Sequence, residues 1–264
     1  MENLFFLSGV ARSGSTILGS ILNQNPSIHV SPTSPLMDLF CLTELDYKNV
    51  EIQYTYDKES SIDNLHKVLA PTFYQHIDKP YIIDKHRGWP KNIKQIKKYI
   101  TDNPKIICTY RPLPEVCASF IKLMNNDPNN SIDRTLRERN LEINTYNRSM
   151  ILWYDYCLDP YNSFYEGLKN YRENLLVINY DDIVNNIENE LTRIYNFLEI
   201  PNFQHTFNNI ENTCSEAKDI EWGFKGLHDV RSTLNKTSDD PKKILGKEIY
   251  NFYDKMDKQL PLIL

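Results

Sequence analysis

The chain has 264 residues, with 30 Lys and Arg against 35 Asp and Glu, a formal charge of −5 and a pI near 5.7. That length allows one full hydrophobic core, or one core with a helical annex, and predicts a single α/β domain over 1–264. The acidic balance excludes a surface that attracts nucleic acid as a whole, so any field for an anionic ligand has to come from locally clustered Arg and Lys. No apolar run approaches the roughly 18 residues of a membrane span, and the first residues lack a signal-peptide layout, so a cytoplasmic protein is expected. Cys41, Cys108, Cys117, Cys157 and Cys214 show no metal-ligand spacing and are odd in number, which fits reduced thiols.

In chain order, an apolar run over 4–8 stops at Gly9, a hydroxyl-rich loop follows, and an amphipathic stretch occupies 15–24. The spacing Gly9-x-x-x-x-Gly14-Ser15-Thr16 resembles the nucleotide P-loop, in which glycines let backbone N–H groups cradle phosphate oxygens at a helix N-terminus. It departs at Ser15, where a nucleoside-triphosphatase carries Lys, and Arg12 is the one cation of the loop. His29 falls in an apolar, strand-like run over 27–31 and reads as structural. The turn Pro32-Thr33-Ser34-Pro35-Leu36-Met37-Asp38 follows, with Glu44 further along.

A strand over 81–84 ends at Asp84-Lys85-His86, and an amphipathic stretch spans 91–101. A buried strand over 105–110 runs into Arg111 and then a helix over 112–124. Pro112 and Pro114 are tolerated there because the first helical N–H groups have no intrahelical partner. Ser119 lies eight residues past Arg111. A helical pattern rich in Tyr covers 133–172 and predicts a helical insertion beside the sheet; a strand over 175–179 ends at Tyr180, and 182–198 is helical again. The stretch 200–240 reads as a long loop region. After Pro241 one amphipathic helix is predicted, with Ile244, Leu245, Ile249 and Phe252 on its buried stripe. Strands alternating with helices predict a central parallel sheet with helices on both faces and a ligand site at the carboxyl ends of the strands.

Three of these motifs together resemble the sulfotransferases that use 3′-phosphoadenosine 5′-phosphosulfate (PAPS). Their loop reads roughly P-[KR]-S-G-[ST]-T, which Ala11-Arg12-Ser13-Gly14-Ser15-Thr16 fits except at the first position. Arginine in place of lysine looks more like the tyrosylprotein-sulfotransferase and bacterial or phage branches. The resemblance implies the P-loop NTPase-like sulfotransferase fold and transfer of a sulfuryl group from PAPS, without a metal, to a hydroxyl or amine of a small-molecule or glycan acceptor. The product is adenosine 3′,5′-bisphosphate. It also implies that Arg12, Ser13, Gly14, Ser15 and Thr16 hold the 5′-phosphosulfate, and that Arg111 and Ser119 hold the 3′-phosphate. Lys85 meets the bridging oxygen where charge grows, while Tyr180, Arg231 and Lys236 complete the nucleotide pocket.

The proton acceptor stays open between His86, one residue closer to the lysine than the family's Lys-x-His, and Asp38, the carboxylate about twenty residues past the P-loop. The insertion and the loops at 33–60 and 125–135 are expected to line the acceptor pocket. Two other readings stand beside this one. In a small-molecule kinase, Asp84 would end a Walker-B-like strand and hold Mg²⁺. In a non-catalytic nucleotide-binding module, the fold would outlive the chemistry.

Overall fold

In the sheet, neighbouring side chains point to opposite faces, and both faces are apolar. The computed structural model describes residues 3–49, 58–213, 219, 223–234 and 240–259. Five strands, β1 (Leu4–Gly9), β2 (Ile28–Thr33), β3 (Tyr81–Lys85), β4 (Ile106–Tyr110) and β5 (Leu175–Asn179), pair in parallel in the order β2-β3-β1-β4-β5. Leu4, Phe6, Ile82, Ile106 and Cys108 feed one core; Phe5, Leu7, Ile83, Ile107 and Ile178 feed the other. A parallel sheet buried on both sides needs that continuous apolar pattern.

The helices are α1 (Ser15–Leu22), α2 (Leu36–Asn49), α3 (Lys58–Phe73), α4 (Ile93–Tyr99), α5 (Leu113–Asn126), α6 (Ser131–Glu138), α7 (Thr145–Leu152) and α8 (Leu158–Asn170). They continue with α9 (Tyr180–Asn185), α10 (Ile187–Leu198), α11 (Pro241–Leu245) and α12 (Lys247–Gln259). Helices α1, α9 and α10 cover the Phe5 and Leu7 face, through Leu18, Ile21, Ile183, Leu191 and Ile194. The others cover the opposite face. The α/β architecture expected from the sequence is therefore present, with β2 added by the run around His29.

Three differences have local physical causes. Residues 36–49, within the expected loop over 33–60, are helical, and 58–73 forms a further helix: the Ser34 hydroxyl accepts the Leu36 N–H at 3.0 Å and starts α2, and Thr43 Oγ1 meets His66 Nε2 at 2.8 Å to fix α3 against it. The insertion is three helices with a π-helical turn at Trp153–Cys157, not one continuous pattern. Arg148 clamps α7 to α6 through a bidentate pair with the buried Asp133, at 2.7 and 2.6 Å. The C-terminal pattern breaks at Gly246, whose φ of 79° ends α11, and the phase changes across it: Phe252 is exposed and Tyr253 is buried instead. Among the described residues no helix is long and apolar enough to cross a membrane.

Gly9 ends β1 where the chain passes closest to β4. A Cβ there would lie 2.2 Å from Thr109 Oγ1 and 2.4 Å from its carbonyl oxygen, and φ is +151°. The Val10 N–H donates to that same carbonyl at 3.1 Å, so the strand cannot move away without breaking the turn into the loop. Gly9→Ala is expected to cost about 3 kcal/mol or more in unfolding free energy, combining overpacking with backbone strain. Urea unfolding checks this, and a loss below about 1 kcal/mol would contradict the close approach.

Candidate active site

Where β1 ends, the chain turns through a loop and enters α1 at Ser15, with Arg12 (φ 56°) and Gly14 (φ 91°) both left-handed. Ser13 braces the loop from below, its hydroxyl donating to the Val10 carbonyl at 2.6 Å and meeting Thr109 Oγ1 at 2.6 Å. It is buried and does not line the cavity above. Arg12, Gly14, Ser15 and Thr16 do line it. The cavity holds about 580 Å³ and lies over the carboxyl ends of β1, β3 and β4, where open α/β sheets bind ligands.

Arg12 donates from Nε to Ser119 Oγ at 3.2 Å and from Nη1 to the Leu227 carbonyl. Both partners are neutral. Burial, then the neighbouring Arg111 guanidinium, pulls its pKa from 12.5 to about 10, against Tyr180 and Asp219. Arg111 follows β4, donating from Nε to Glu115 at 3.1 Å and from Nη1 to the Arg12 carbonyl at 3.2 Å. Its guanidinium carbon sits 4.1 Å from the Tyr180 ring centroid. The pairing with an acid that would make Arg111 a bystander is thus present, yet Arg111, Glu115 and Ser119 all line the cavity. Glu115 was legible as the i+4 partner of Arg111, and Lys122, at i+3 from Ser119, was legible as a further cation on the same wall.

Across the cavity, buried Lys85 points its Nζ at Thr16 Oγ1, 3.3 Å away. β3 ends at Lys85, so His86 leaves the strand alternation and also lines the cavity. The Gly88 N–H donates to His86 Nδ1 at 3.0 Å, and His86 Nε2 lies 3.4 Å from Asp38 Oδ1 at the start of α2. Burial holds the His86 pKa below 6.5, opposed by Asp38 and Asp84. Asp38 and His86, two separate candidates in the sequence, are therefore neighbours, although Asp38 itself is not among the cavity walls. Glu44 is not a cavity wall either; its charge acts on His66 and Cys41.

Asp84 corrects an expectation. Its neighbour Lys85 takes the cavity side of β3, so Asp84 faces the core: it is fully buried and accepts from Tyr74 at 2.5 Å and Trp89 Nε1 at 2.7 Å, and does not line the cavity where a magnesium-bound nucleotide would need it. Among the described residues no cluster of three or more His, Cys, Asp or Glu could hold a metal ion. The insertion is a second correction. None of its described residues lines the cavity, because its aromatic face is spent on the core; Tyr161 and Ser163 instead donate to the carbonyls of Arg111 and Arg87 from behind, at 2.9 and 2.8 Å.

The late loop closes one side. Phe224 packs between Phe120 and Tyr156, and the pairing of Asn208 with Thr233 ties the loop to residues after α10. His228, held by Asp219 at 2.6 Å, and Arg231 line the cavity, as Tyr180 does from the start of α9. Lys236 lies outside the described residues.

Fold and site together define an α/β protein with a phosphate-type loop facing a cavity walled by cations. The sulfotransferase family profile matches residues 5–205, and the chain belongs to that family of enzymes. No curated protein sequence matches it significantly. Among solved structures, the sulfotransferase domain from the Synechococcus PCC 7002 olefin synthase is similar at 17% identity and a TM-score of 0.53, over 99% of this chain and 95% of that one. The sulfotransferase domain from the curacin biosynthetic pathway is similar at 18% and 0.50, over 96% of each. Retinol dehydratase, solved with androsterone and the inactive cofactor PAP, is similar at 14% and 0.53, over 98% and 80%. At these identities the likeness concerns the fold.

A buried cation with neutral partners is a test point for anion binding. Inorganic pyrophosphate at a hundredfold excess over its dissociation constant is expected to stabilise the protein by about 2.7 kcal/mol. Arg12→Gln is expected to weaken that binding at least about tenfold, at a charge-assisted bond worth roughly 1.5–3 kcal/mol. Thermal melts with and without pyrophosphate decide it; equal shifts in both proteins would remove Arg12 from the anion site.

Proposed function

We propose that this enzyme, as one domain, moves a sulfuryl group from PAPS to a hydroxyl or amine acceptor. The observation that carries this reading is the division of one cavity into two poles. Arg111 and Ser119 stand at one end and Lys85 and His86 at the other, with Asp38 beyond His86, while Arg12 and the loop amides lie between them. A nucleotide with phosphates at both 3′ and 5′ positions offers anions to both groups of cations, and a cavity of about 580 Å³ is in the range of ligand pockets. The similar retinol dehydratase structure contains PAP. PAPS supplies the sulfuryl group and leaves as adenosine 3′,5′-bisphosphate.

The loop amides, Ser15 and Thr16 hold the 5′ end, and Arg111 and Ser119 hold the 3′-phosphate, with Tyr180 and Arg231 around the nucleoside. Arg12 and Lys85 offset the negative charge that grows on the leaving phosphate oxygen, in a site where burial strengthens each charge. The acceptor oxygen forms its bond to sulfur as the sulfur–phosphate oxygen bond breaks, and its proton must go to a base. Since Gly88 donates to Nδ1, neutral His86 carries its proton on Nε2 and turns it to Asp38. Asp38 retains lone pairs and takes the proton; His86 orients it.

Two variants separate the poles. Arg111→Ala is expected to weaken adenosine 3′,5′-bisphosphate by about a hundredfold, near the upper range for a hydrogen bond to a charged group, and adenosine 5′-phosphate by less than about threefold. Calorimetric titration, run with and without Mg²⁺, reads this. Equal losses for both nucleotides would sink the 3′-phosphate assignment, and magnesium-dependent ATP binding in its place would favour phosphoryl transfer. Lys85→Met is expected to slow PAPS turnover by about 10²–10³-fold while bisphosphate affinity stays within a few-fold, the pattern for a group that acts on transition-state charge. The reverse pattern would make Lys85 a ground-state ligand only.

A further inference from the structure

Beside the cavity, and unused by the chemistry above, lies a fully buried carboxylate with two well-formed bonds. Asp84 Oδ2 accepts from the Tyr74 hydroxyl at 2.5 Å, and Asp84 Oδ1 accepts from Trp89 Nε1 at 2.7 Å. The Ser34 hydroxyl reaches the same group, and Ser34 also accepts the Leu36 N–H that begins α2. One side chain therefore joins three segments: the residue that follows α3, the turn after β3, and the start of the helix that carries Asp38. We propose that Asp84 is a positioning residue that fixes the turn over 86–89 against the first turn of α2, and so decides which His86 nitrogen faces Asp38. The inference rests on the reading of His86 and Asp38 as the acceptor-side pair.

The turn is short and closed at several points. Trp89 is fully buried and packs on Phe6, with ring centroids 4.6 Å apart, so its indole N–H has one direction in which to point. Between Trp89 and His86 stands Gly88, whose N–H makes the bond to Nδ1; a Cβ there would lie 3.1 Å from that same nitrogen. Asn92 donates to the Gly88 carbonyl at 2.8 Å. The Gly88 amide is held from behind by the Arg87 carbonyl of the same peptide, which accepts from Ser163 at 2.8 Å and Ser8 at 3.2 Å, and from ahead by Trp89, whose indole N–H is anchored by Asp84.

An acid is an expensive choice for that anchor. Burial raises the Asp84 pKa, against the donors Ser34, Tyr74 and Trp89. An apolar side chain of similar volume would avoid that cost but would leave the tyrosine hydroxyl and the indole N–H without partners, and nothing would then set the distance between α3 and the turn.

The test uses the full chain labelled with ¹⁵N at its six histidines, with His86 assigned by its disappearance in His86→Gln. Long-range ¹H–¹⁵N spectra report the tautomer directly. The wild type is expected to show His86 protonated on Nε2 alone. Asp84→Ala is expected to average the two nitrogen shifts toward each other, and Trp89→Phe, which removes the donor with part of the ring but keeps an aromatic group against Phe6, is expected to do the same and decides the matter should Asp84→Ala not fold. Asp84→Asn keeps an oxygen for Trp89 and is expected to restore the single tautomer. A wild-type His86 protonated on Nδ1, or a folded Trp89→Phe with the wild-type tautomer, would overturn the proposal. Titration of the same sample with adenosine 3′,5′-bisphosphate separates the two claims: absent binding rejects the donor reading, whereas the tautomer result bears on Asp84 alone.

Discussion

Two guanidiniums share one wall of the cavity, held there by carbonyls, a hydroxyl and a single carboxylate, Glu115. Arg111 donates to the carbonyl of Arg12, and Arg12 donates onward to Ser119 and to the late loop. Burial first, and then the like charge of Arg111, pulls the Arg12 pKa to about 10. Glu115 and the face of Tyr180 offset Arg111, while Arg12 bonds only to neutral groups and feels the acid Asp219 through space. The arrangement is tolerable without a ligand and favourable with an anion of more than one charge. Much of the surrounding structure serves to keep the two cations from separating.

That support comes largely from behind. Tyr161 and Ser163 of α8 bond to the carbonyls of Arg111 and Arg87, the residues just beyond β4 and β3. Gly167 lets α8 approach the turn at Pro90, where a Cβ would lie 2.6 Å from the proline Cβ. The insertion thus fixes the backbone from which the functional side chains project, and contributes none of its own to the cavity. The late loop acts from the front: Phe224 sits beside Phe120, the neighbour of Ser119, so the segment that accepts from Arg12 is anchored on the same helix that carries Ser119.

What the sequence revealed divides along the same lines. β1, β3, β4 and β5 were legible because strands buried on both faces are short continuous apolar runs. The cation positions were legible because each follows the end of such a run. Helices α2 and α3 were not, since their buried residues, such as Phe40 and Ala70, are few among polar ones and depend on each other for packing. The pairing of Asp38 with His86 joins residues 48 positions apart and arises only when α2 docks on the turn after β3. Asp84 illustrates the opposite difficulty: a run ending in an acid is the same string whether the carboxylate faces a metal or a tyrosine, and only the face of the strand distinguishes them.

The two poles of the cavity also differ in what they ask of water. At the Arg111 pole, partial burial strengthens the attraction of the crowded cations for any anion, the 3′-phosphate on the proposed reading. At the other pole a proton has to leave, and a base beside Lys85 would be weakened by its charge. Asp38 stands beyond the cavity wall with an exposed side chain, beside His86 at the cavity's edge. As the base of the proposed reaction, Asp38 would keep its hydration there and pass the proton to solvent, while burial keeps His86 neutral between Asp38 and the Gly88 amide, its Nε2 proton directed at the carboxylate. On the proposed reading, separation by one imidazole would let a cation for the leaving group and a carboxylate for the acceptor act in the same reaction without neutralising each other.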